Sequence, residues 1–333
     1  MTKVGVIGTG VMGRNHVRVL HELAQADLVG VADADRAAAG RAAAAGTTRA
    51  YASHTELLER ERPDAVVIAV PTNQHHAVVL DALAAGAHVL VEKPIAGTLA
   101  EADDLVAAAA RAQRVLSVGH IERYNPAVLE LKRRLTEGQL GRVFQYHARR
   151  LGPFPQRIRD VGVVVDLATH DLDVMRYLSG AEIVRVYAET RREVHTTNED
   201  LVSGLIRFDD GAVGVLQTNW LTPTKIRVLN VTGERGMFRA DYLTQDLFFH
   251  ENSASEGASW QQIAMLRGVS EGPMVMYAIQ KREPLRVELE AFLDAVEGRP
   301  AEIVTGADGR EALRIALALV ESGQQERVVI TRD

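Results

Sequence analysis

The hydrophobic positions in the first third of the chain form short apolar runs that alternate with helical segments. Five runs rich in aliphatic and β-branched residues are Lys3–Ile7, Asp27–Asp33, Ala65–Val70, Ala87–Val91 and Val115–Val118. Buried strands separated by helices are typical of a doubly wound parallel sheet with right-handed crossovers. Residues 1–120 are therefore predicted to form an α/β domain, and ligands of such domains bind beyond the carboxyl ends of the strands.

After residue 120 the pattern changes to strands joined by tight turns. The predicted strands are Ile183–Glu189, Leu201–Phe208, Ala212–Trp220, Ile226–Thr232 and Gly236–Asp241. Asp209-Asp210-Gly211 has the composition of a hairpin turn, and Leu285–Glu297 and Gly309–Ser322 have helical periodicity. Residues 121–333 are predicted to form an α+β domain with a large, open, mostly antiparallel sheet.

Composition narrows the class of protein. The 333 residues are 47% hydrophobic and 25% charged, which is ordinary for a globular protein, and no stretch is long and apolar enough for a membrane span. Met1-Thr2-Lys3 leads directly into a strand without a signal peptide, so we expect a cytoplasmic protein. The absence of cysteine excludes disulfides and thiolate chemistry, and a net charge of −6 argues against nucleic-acid binding.

A glycine-rich loop follows the first strand. It consists of Gly8, Thr9, Gly10, Val11, Met12 and Gly13, with Asp33 at the end of the second strand, 20 residues after Gly13. This spacing predicts a dinucleotide site in which the loop holds the pyrophosphate and Asp33 the adenosine ribose. A carboxylate repels a 2′-phosphate, which favours NAD over NADP, although nearby Arg36 acts in the opposite direction.

Polar residues follow three further strands at the same predicted edge. Glu92-Lys93-Pro94 ends one of them, where Glu92 and Lys93 are candidate cofactor contacts, although the two charges could instead be a solvated pair before a loop. A second set, Pro71, Thr72, Asn73 and His75, fits either cofactor contacts or a helix N-cap cluster. A third set, Arg123, Tyr124 and Asn125, lies where a ligand would end, although Asn125-Pro126 is also a good helix-capping pair.

A basic segment and an acid–histidine pair begin the second domain. Gly138–Arg159 contains no acidic residue and five arginines: Arg142, Arg149, Arg150, Arg157 and Arg159. This bias suggests an anion, and the alternative is a solvated strand edge. Asp166 and His170 lie one turn apart if they are helical, where a carboxylate can fix the tautomer of a proton-transferring imidazole. A surface helix with unrelated polar residues would show the same spacing.

Four of these motifs together resemble the glucose-fructose oxidoreductase, inositol dehydrogenase and rhizopine-catabolism (Gfo/Idh/MocA) family. They are the glycine loop, Pro71-x-x-x-His75, Glu92-Lys93-Pro94 and Asp166-x-x-x-His170. The resemblance covers essentially the whole chain. It implies that Lys93, Asp166 and His170 are the catalytic residues, that no metal is needed, and that the second sheet forms the interface of a homo-oligomer, a dimer or tetramer.

Within that family, Gly119–Ala127 and Gly152–Asp160 are most similar to nucleotide-sugar dehydrogenases. The resemblance implies NAD-dependent oxidation of a ring secondary hydroxyl, for which we expect the 3-hydroxyl of UDP-N-acetylglucosamine. Candidate substrate contacts are Lys93, Arg123, Tyr124, Asn125, Arg150, Arg157 and His170, with Lys225 and Arg227 as weaker candidates. Three alternatives remain open: a dehydrogenase of inositol or another free sugar, a glycosidase with a retained NAD, and a redox-sensing or ligand-binding protein.

Overall fold

The computed structural model of the chain describes residues 1–155, 161–195, 197–253 and 271–332. They form two compact units. Unit 1 comprises Met1–Ile121 and Glu283–Leu313, and unit 2 comprises Glu122–Arg282 and Arg314–Asp333.

Unit 1 is built on a six-stranded sheet in which every neighbouring pair is parallel. Its strands are β1 (Thr2–Ile7), β2 (Ala26–Ala32), β3 (Arg49–Tyr51), β4 (Ala65–Ile68), β5 (His88–Glu92) and β6 (Leu116–Gly119). The strand order β3-β2-β1-β4-β5-β6 places a topological switch point between β1 and β4. The doubly wound parallel sheet predicted from the apolar runs is therefore confirmed.

Helices connect these strands. They are α1 (Val11–Glu22), α2 (Arg36–Ala45), α3 (His54–Glu61), α4 (Thr72–Ala84) and α5 (Leu99–Ala112). The sequence prediction omitted α2, β3 and α3. Seven of the ten residues of α2 are alanine and one is glycine, so its buried face, Ala39, Ala42 and Ala43, differs little in hydrophobicity from its exposed face. A three-residue strand such as β3 is also too short to show a period.

A late segment of the chain belongs to unit 1. Helix α8 (Pro284–Val296) contributes Leu285, Leu289, Phe292 and Leu293 to the hydrophobic core that contains β1 and α1. The predicted division placed this segment in the second domain, because it follows the antiparallel strands in sequence. Its apolar stripe instead packs on the parallel sheet, and the following backbone at Val304 accepts a hydrogen bond from Val118 of β6.

Unit 2 contains a nine-stranded sheet. Its strands are β7 (Val143–Pro153), β8 (Ile183–Arg191), β9 (Leu201–Phe208), β10 (Val213–Asn219), β11 (Leu221–Gly233), β12 (Gly236–Asp241), β13 (Asp246–Asn252), β14 (Glu271–Met276) and β15 (Val329–Ile330). The order is β14-β13-β12-β11-β7-β10-β9-β8-β15, and only the β7–β10 pair is parallel. The mostly antiparallel sheet predicted from the sequence is confirmed.

One face of this sheet is covered by helices. Helices α6 (Pro126–Thr136) and α7 (Thr169–Ser179) and the end of α9 (Gly306–Gln325) supply apolar side chains to one core with the inward residues of the strands. Leu205 on β9 and Ile330 on β15 are more than half exposed. The oligomer predicted through this sheet stays a prediction. None of the helices in the described part of the chain has the length and apolar character needed to cross a bilayer.

Candidate functional site

The loop between β1 and α1 has the shape that a pyrophosphate requires. Gly8 has a φ of 89°, and a Cβ there would lie 2.5 Å from the carbonyl oxygen of Ala69. A Cβ at Gly13 would lie 1.9 Å from the carbonyl oxygen of Gly8, so helix α1 can approach the loop only with glycine at that position. A Cβ at Gly10 would meet nothing within 4 Å, which leaves open space at the helix N-terminus.

Asp33 is bound to the same loop. Its Oδ2 accepts hydrogen bonds from the backbone nitrogen of Thr9 at 2.7 Å and from Thr9 Oγ1 at 2.8 Å, and its Oδ1 accepts one from the nitrogen of Asp35 at 2.9 Å. Burial raises the pKa of Asp33, but these hydrogen bonds outweigh it and hold the pKa below the usual range. The ionised carboxylate retains acceptor capacity for a ribose hydroxyl. Arg36 lies exposed at the first position of α2.

Lys93 follows the last residue of β5 and is half-buried, whereas Pro94, Ile95 and Ala96 behind it are buried. The preceding Glu92 is buried, and its Oε1 accepts a hydrogen bond from Nε2 of His16 on α1 at 2.8 Å. Burial raises the pKa of Glu92, but His16 and the charges of Lys93 and His75 outweigh it and lower the pKa. Glu92, predicted as a cofactor contact, therefore has a partner inside unit 1.

The turn after β4 divides into accessible and buried residues. Pro71 and Asn73 are exposed and Thr72 is half-buried, and no side chain caps the N-terminus of α4. The capping interpretation of these residues is therefore wrong for their side chains. His75, predicted as a cofactor contact, is 1% exposed, and both of its ring nitrogens lie against backbone carbonyl oxygens. This burial favours a role for His75 inside the turn.

Asp166 and His170 lie in unit 2 at the start of α7, and each is 8% exposed. Asp166 belongs to a π-helical segment, Val164–Ala168, that runs directly into α7. The segment is held by Glu199, whose Oε1 accepts a hydrogen bond from the nitrogen of Val164 at 3.1 Å. The sequence predicted a helix with these two residues one turn apart, and the structure adds that the first turn is π-helical, a feature often found at functional sites.

The segment before α6 carries three predicted substrate contacts that the fold itself uses. Arg123 donates two hydrogen bonds to Asp173 of α7, at 2.7 and 2.5 Å. Tyr124 is 5% exposed, and Asn125 caps α6 through Oδ1 while its Nδ2 donates to the carbonyl oxygen of Tyr242 at 3.0 Å. The bonds of Arg123 and Asn125 and the burial of Tyr124 favour structural roles for these residues over contacts with the substrate.

Arg150 also differs from its predicted role. Its side chain is 3% exposed, its Nε and Nη2 donate to Asp171 at 2.7 and 3.0 Å, and its Nη1 donates to Glu122 at 2.7 Å. Burial lowers the pKa of Arg150, but the two carboxylates outweigh it and raise the pKa. A guanidinium already neutralised by two acids is a poor anchor for a diphosphate. The other predicted arginine, Arg157, lies outside the described residues.

Arg227 occupies the position on β11 that is paired with Arg150 on β7. Its Nη1 donates to the carbonyl oxygens of Leu151 and Ile226 at 2.8 and 3.0 Å, and no carboxylate among the described residues forms an ion pair with it. Burial and the charge of Arg150 lower the pKa of Arg227 to about 10, and the charges of Asp171, Glu122 and Asp166 act in the opposite direction. Arg227 is therefore a half-buried cation within electrostatic range of the acid–histidine pair.

Three partners in these clusters were missed by the sequence analysis. His16 lies on the buried face of α1 with Gly13, Val17 and Leu20, a spacing that could have predicted its burial. The acids that bind Arg150 carry no such signal, because Glu122 and Asp171 are distant from it in sequence. Over the described ranges, no group of three histidine or acidic side chains could hold a metal ion.

Comparison with known proteins gives consistent matches along the chain. Residues 2–120 match a family model described as an oxidoreductase family with an NAD-binding Rossmann fold, and residues 128–239 match the GFO/IDH/MocA C-terminal domain. The chain is 32% identical over 315 residues to UDP-N-acetylglucosamine 3-dehydrogenase from Acidithiobacillus ferrooxidans, which covers 95% of each chain. A crystal structure of that enzyme superposes with a TM-score of 0.85 over 97% of this chain and 98% of the other, at 31% identity.

Relatives with a different named substrate are similar to almost the same degree. Inositol 2-dehydrogenase 1 from Saccharopolyspora erythraea is 31% identical over 332 residues, covering 96% of this chain and 93% of the relative. Identity alone therefore does not select between a nucleotide sugar and a polyol.

Proposed function

The chain belongs to the Gfo/Idh/MocA family of oxidoreductases, and we propose that it oxidises a ring secondary hydroxyl of a nucleotide sugar, specifically the 3-hydroxyl of UDP-N-acetylglucosamine. Membership confirms the oxidoreductase and the NAD-binding Rossmann fold expected from the sequence. The similarity, along 95% of both chains, to a UDP-N-acetylglucosamine 3-dehydrogenase supplies the candidate sugar, and the observation that favours a nucleotide sugar over a polyol is the half-buried cation Arg227.

The electrostatics of unit 2 support an anionic substrate. Arg227 is a half-buried guanidinium without an acidic partner among the residues described in unit 2. Gly152 on the adjacent strand lies beside it, because a Cβ at Gly152 would make van der Waals contacts at 3.8 Å with Arg227 Nη2 and at 3.7 Å with Lys225 Cγ. Guanidinium groups bind phosphate oxygens in a bidentate manner. We assign the diphosphate contact to Arg227 in place of Arg150, which the sequence analysis had named as a substrate contact.

The proposed chemistry needs a base, an orienting acid and a cation. His170 accepts the proton of the substrate hydroxyl, and Asp166, one turn earlier, orients the imidazole and stabilises its protonated form. Lys93 donates a hydrogen bond to the substrate oxygen as negative charge develops on it. When bound, NAD supplies the two-electron acceptor. Gly10 and the first amides of α1 would hold its pyrophosphate, and Asp33 its adenosine ribose.

The substrate proposal is tested by following NADH formation with UDP-N-acetylglucosamine, free N-acetylglucosamine and myo-inositol. We expect kcat/KM to be highest for the nucleotide sugar, because the free sugars lack the diphosphate that Arg227 would bind. An inositol preference would replace this proposal with the polyol dehydrogenase that the relatives at 31% identity suggest. Rapid turnover of free N-acetylglucosamine would show that the enzyme does not need the diphosphate to recognise its substrate.

Replacement of Arg227 and of Arg150 should have different effects. Arg227→Ala is expected to raise KM for UDP-N-acetylglucosamine about 10- to 100-fold with kcat within about threefold, because the lost contact exists in ground and transition states alike. Arg150→Ala leaves Asp171 buried without its cation and should lower the free energy of unfolding by about 3–5 kcal/mol. Steady-state kinetics and urea unfolding measure the two effects.

The exposed Arg239 on β12 supplies the matched control, since Arg239→Ala should alter neither quantity. An unchanged KM in Arg227→Ala would exclude Arg227 as a substrate contact.

NAD should bind more tightly than NADP. The ionised Asp33 carboxylate repels a 2′-phosphate. We expect the Kd for NADP to be at least about tenfold higher than that for NAD, a difference of about 1.4 kcal/mol in binding free energy. Titration of both cofactors by calorimetry measures the difference, and Asp33→Ala should reduce it. Asp27→Ala, at an exposed position of β2, serves as the control. Equal Kd values for NAD and NADP in the unmodified protein would contradict the assignment.

A further inference from the structure

The imidazole of His75 joins two turns at the carboxyl edge of the parallel sheet. Its Nε2 lies 3.0 Å from the carbonyl oxygen of Val70, after β4, and its Nδ1 lies 2.8 Å from the carbonyl oxygen of Pro94, after β5. The side chain is buried, so water does not mediate either contact. The ring therefore spans the turn that begins α4 and the turn that contains Lys93.

The chemistry of these two contacts depends on the protonation state of the ring. A carbonyl oxygen only accepts hydrogen bonds, and a neutral imidazole has one N–H donor and one acceptor nitrogen. In a neutral His75, one nitrogen lone pair would face a carbonyl oxygen at 3.0 Å or less, in a buried environment where an unsatisfied polar contact is costly. The imidazolium has two N–H donors and satisfies both carbonyls.

A counter-ion lies nearby. The pKa of the buried Glu92 is lowered despite desolvation, chiefly by the hydrogen bond with His16 and to a smaller extent by the charges of Lys93 and His75, so Glu92 is ionised near neutral pH. His16 bonds Glu92 through Nε2, and its buried Nδ1 has no hydrogen-bond partner among the described residues. That geometry suits the neutral Nε2–H tautomer of His16, because a proton on Nδ1 would be left unsatisfied. His16 thus binds Glu92 without neutralising its charge.

The opposing influences on His75 can be separated. Burial lowers the pKa of His75, while the hydrogen bonds to Pro94 and Val70 and the charge of Glu92 raise it. Burial is the largest single influence and, taken alone, favours the neutral ring. We give the carbonyl contacts more weight, because the neutral ring cannot form both. The groups that act on this cluster are the charged Glu92 and Lys93 and the imidazole of His16.

We propose that His75 is a positioning residue held as an imidazolium, with Glu92 as its counter-ion, and that it clamps the turn after β4 to the turn that carries Lys93. Pro94 directly follows Lys93, so a fixed Pro94 carbonyl restrains the backbone from which the lysine side chain projects. The consequence for catalysis rests on the role given to Lys93 in the proposed function. The charge state proposed for the His75 ring is independent of that role.

Nuclear magnetic resonance reads the charge state directly. Two-bond proton–nitrogen spectra of the full chain, labelled with ¹⁵N-histidine, distinguish an imidazolium from either neutral tautomer. We expect the His75 ring to have both nitrogens protonated at about pH 7.5, where an ordinary histidine is largely neutral. The signal is assigned by its loss in His75→Gln or, if that variant does not fold, by ring-proton contacts to Val70 and Pro94. A neutral tautomer at that pH would overturn the proposal.

Variants test the clamp and the counter-ion separately. Glu92→Gln should make His75 titrate at a lower pH, whereas His76→Gln should leave its titration unchanged. His76 is the matched control, because it is the next residue of α4 but pairs with Asp104 at the surface. An unaltered titration in Glu92→Gln would exclude Glu92 as the counter-ion.

His75→Gln is expected to lower kcat about tenfold with KM for the sugar within about threefold, because it loosens the backbone that carries Lys93 while sparing binding contacts. His76→Gln should keep normal kinetics. A charged His75 together with unchanged kcat in His75→Gln would overturn the positioning role alone. Failure of the nucleotide-sugar proposal would appear instead as a changed substrate preference of the unmodified enzyme.

Discussion

Lys93→Met is expected to lower kcat by about 100-fold or more while the Kd for NAD changes by no more than about threefold. Methionine has nearly the length of lysine but cannot donate a hydrogen bond or carry charge. The loss therefore falls on the transition state, in which negative charge develops on the substrate oxygen, and a positioned cation or donor at such an oxygen is commonly worth a factor of 100 to 1,000. Steady-state kinetics with the preferred sugar and calorimetric titration of NAD measure the two effects.

Two variants complete this experiment. Lys3→Met makes the same chemical change on an exposed lysine at the start of the same sheet and should leave kcat unchanged. Lys93→Arg retains the charge on a longer, planar group and should recover only part of the activity. If Lys93→Met kept more than about a tenth of the normal kcat on the preferred substrate, Lys93 would have no direct part in the chemistry.

The features that the sequence predicted well are those set by local pattern. The apolar runs predicted five strands of the parallel sheet, because a strand buried on both faces must be apolar throughout. The glycine loop was predictable for a related reason, since Gly8 and Gly13 occupy positions where a side chain would collide with backbone. Local sequence does not determine which core a helix joins, and for that reason α8 was assigned to the second domain.

The predicted substrate contacts show that a cluster of basic residues in the sequence does not reveal which of them are paired with acids in the fold. The bias toward basic residues in Gly138–Arg159 suggested free cations, but Arg150 is neutralised by Asp171, 21 residues away, and by Glu122, 28 residues away. In the sequence, Arg227 was a weaker candidate than Arg150. The pairing of β11 with β7 places Arg227 opposite Arg150. Asp171 and Glu122 form their ion pairs with Arg150, and Arg227 has no ion pair among the described residues.

His75 and Glu92 show a similar limit. Both were predicted to contact the cofactor because they lie within motifs at the binding edge of the sheet. In the structure they are buried behind that edge, with partners on the backbone and on α1. Their positions in the motifs are equally compatible with binding a ligand and with shaping the turns that bind it. Burial and hydrogen-bond partners, which sequence does not give, distinguish these two roles.

His170→Ala should lower kcat by about 100-fold or more, because the substrate hydroxyl then loses the base that accepts its proton. Added imidazole should restore part of the activity, since a small base can enter the space vacated by the side chain. Rescue would identify the missing function as proton transfer, whereas a purely structural loss would not respond to imidazole. His250→Ala, a half-buried histidine on β13 of the same unit, provides the control for general effects of the substitution.

The kinetic form of this loss is specific. A base acts in the chemical step, so kcat should fall with KM for the sugar within about threefold, and the Kd for NAD should stay unchanged because the substitution leaves the dinucleotide loop intact. The deficit should also lessen as pH rises, because hydroxide and ionised substrate then replace part of what the imidazole does. If His170→Ala instead raised KM with kcat intact, His170 would be a binding residue, and the base would have to be another group.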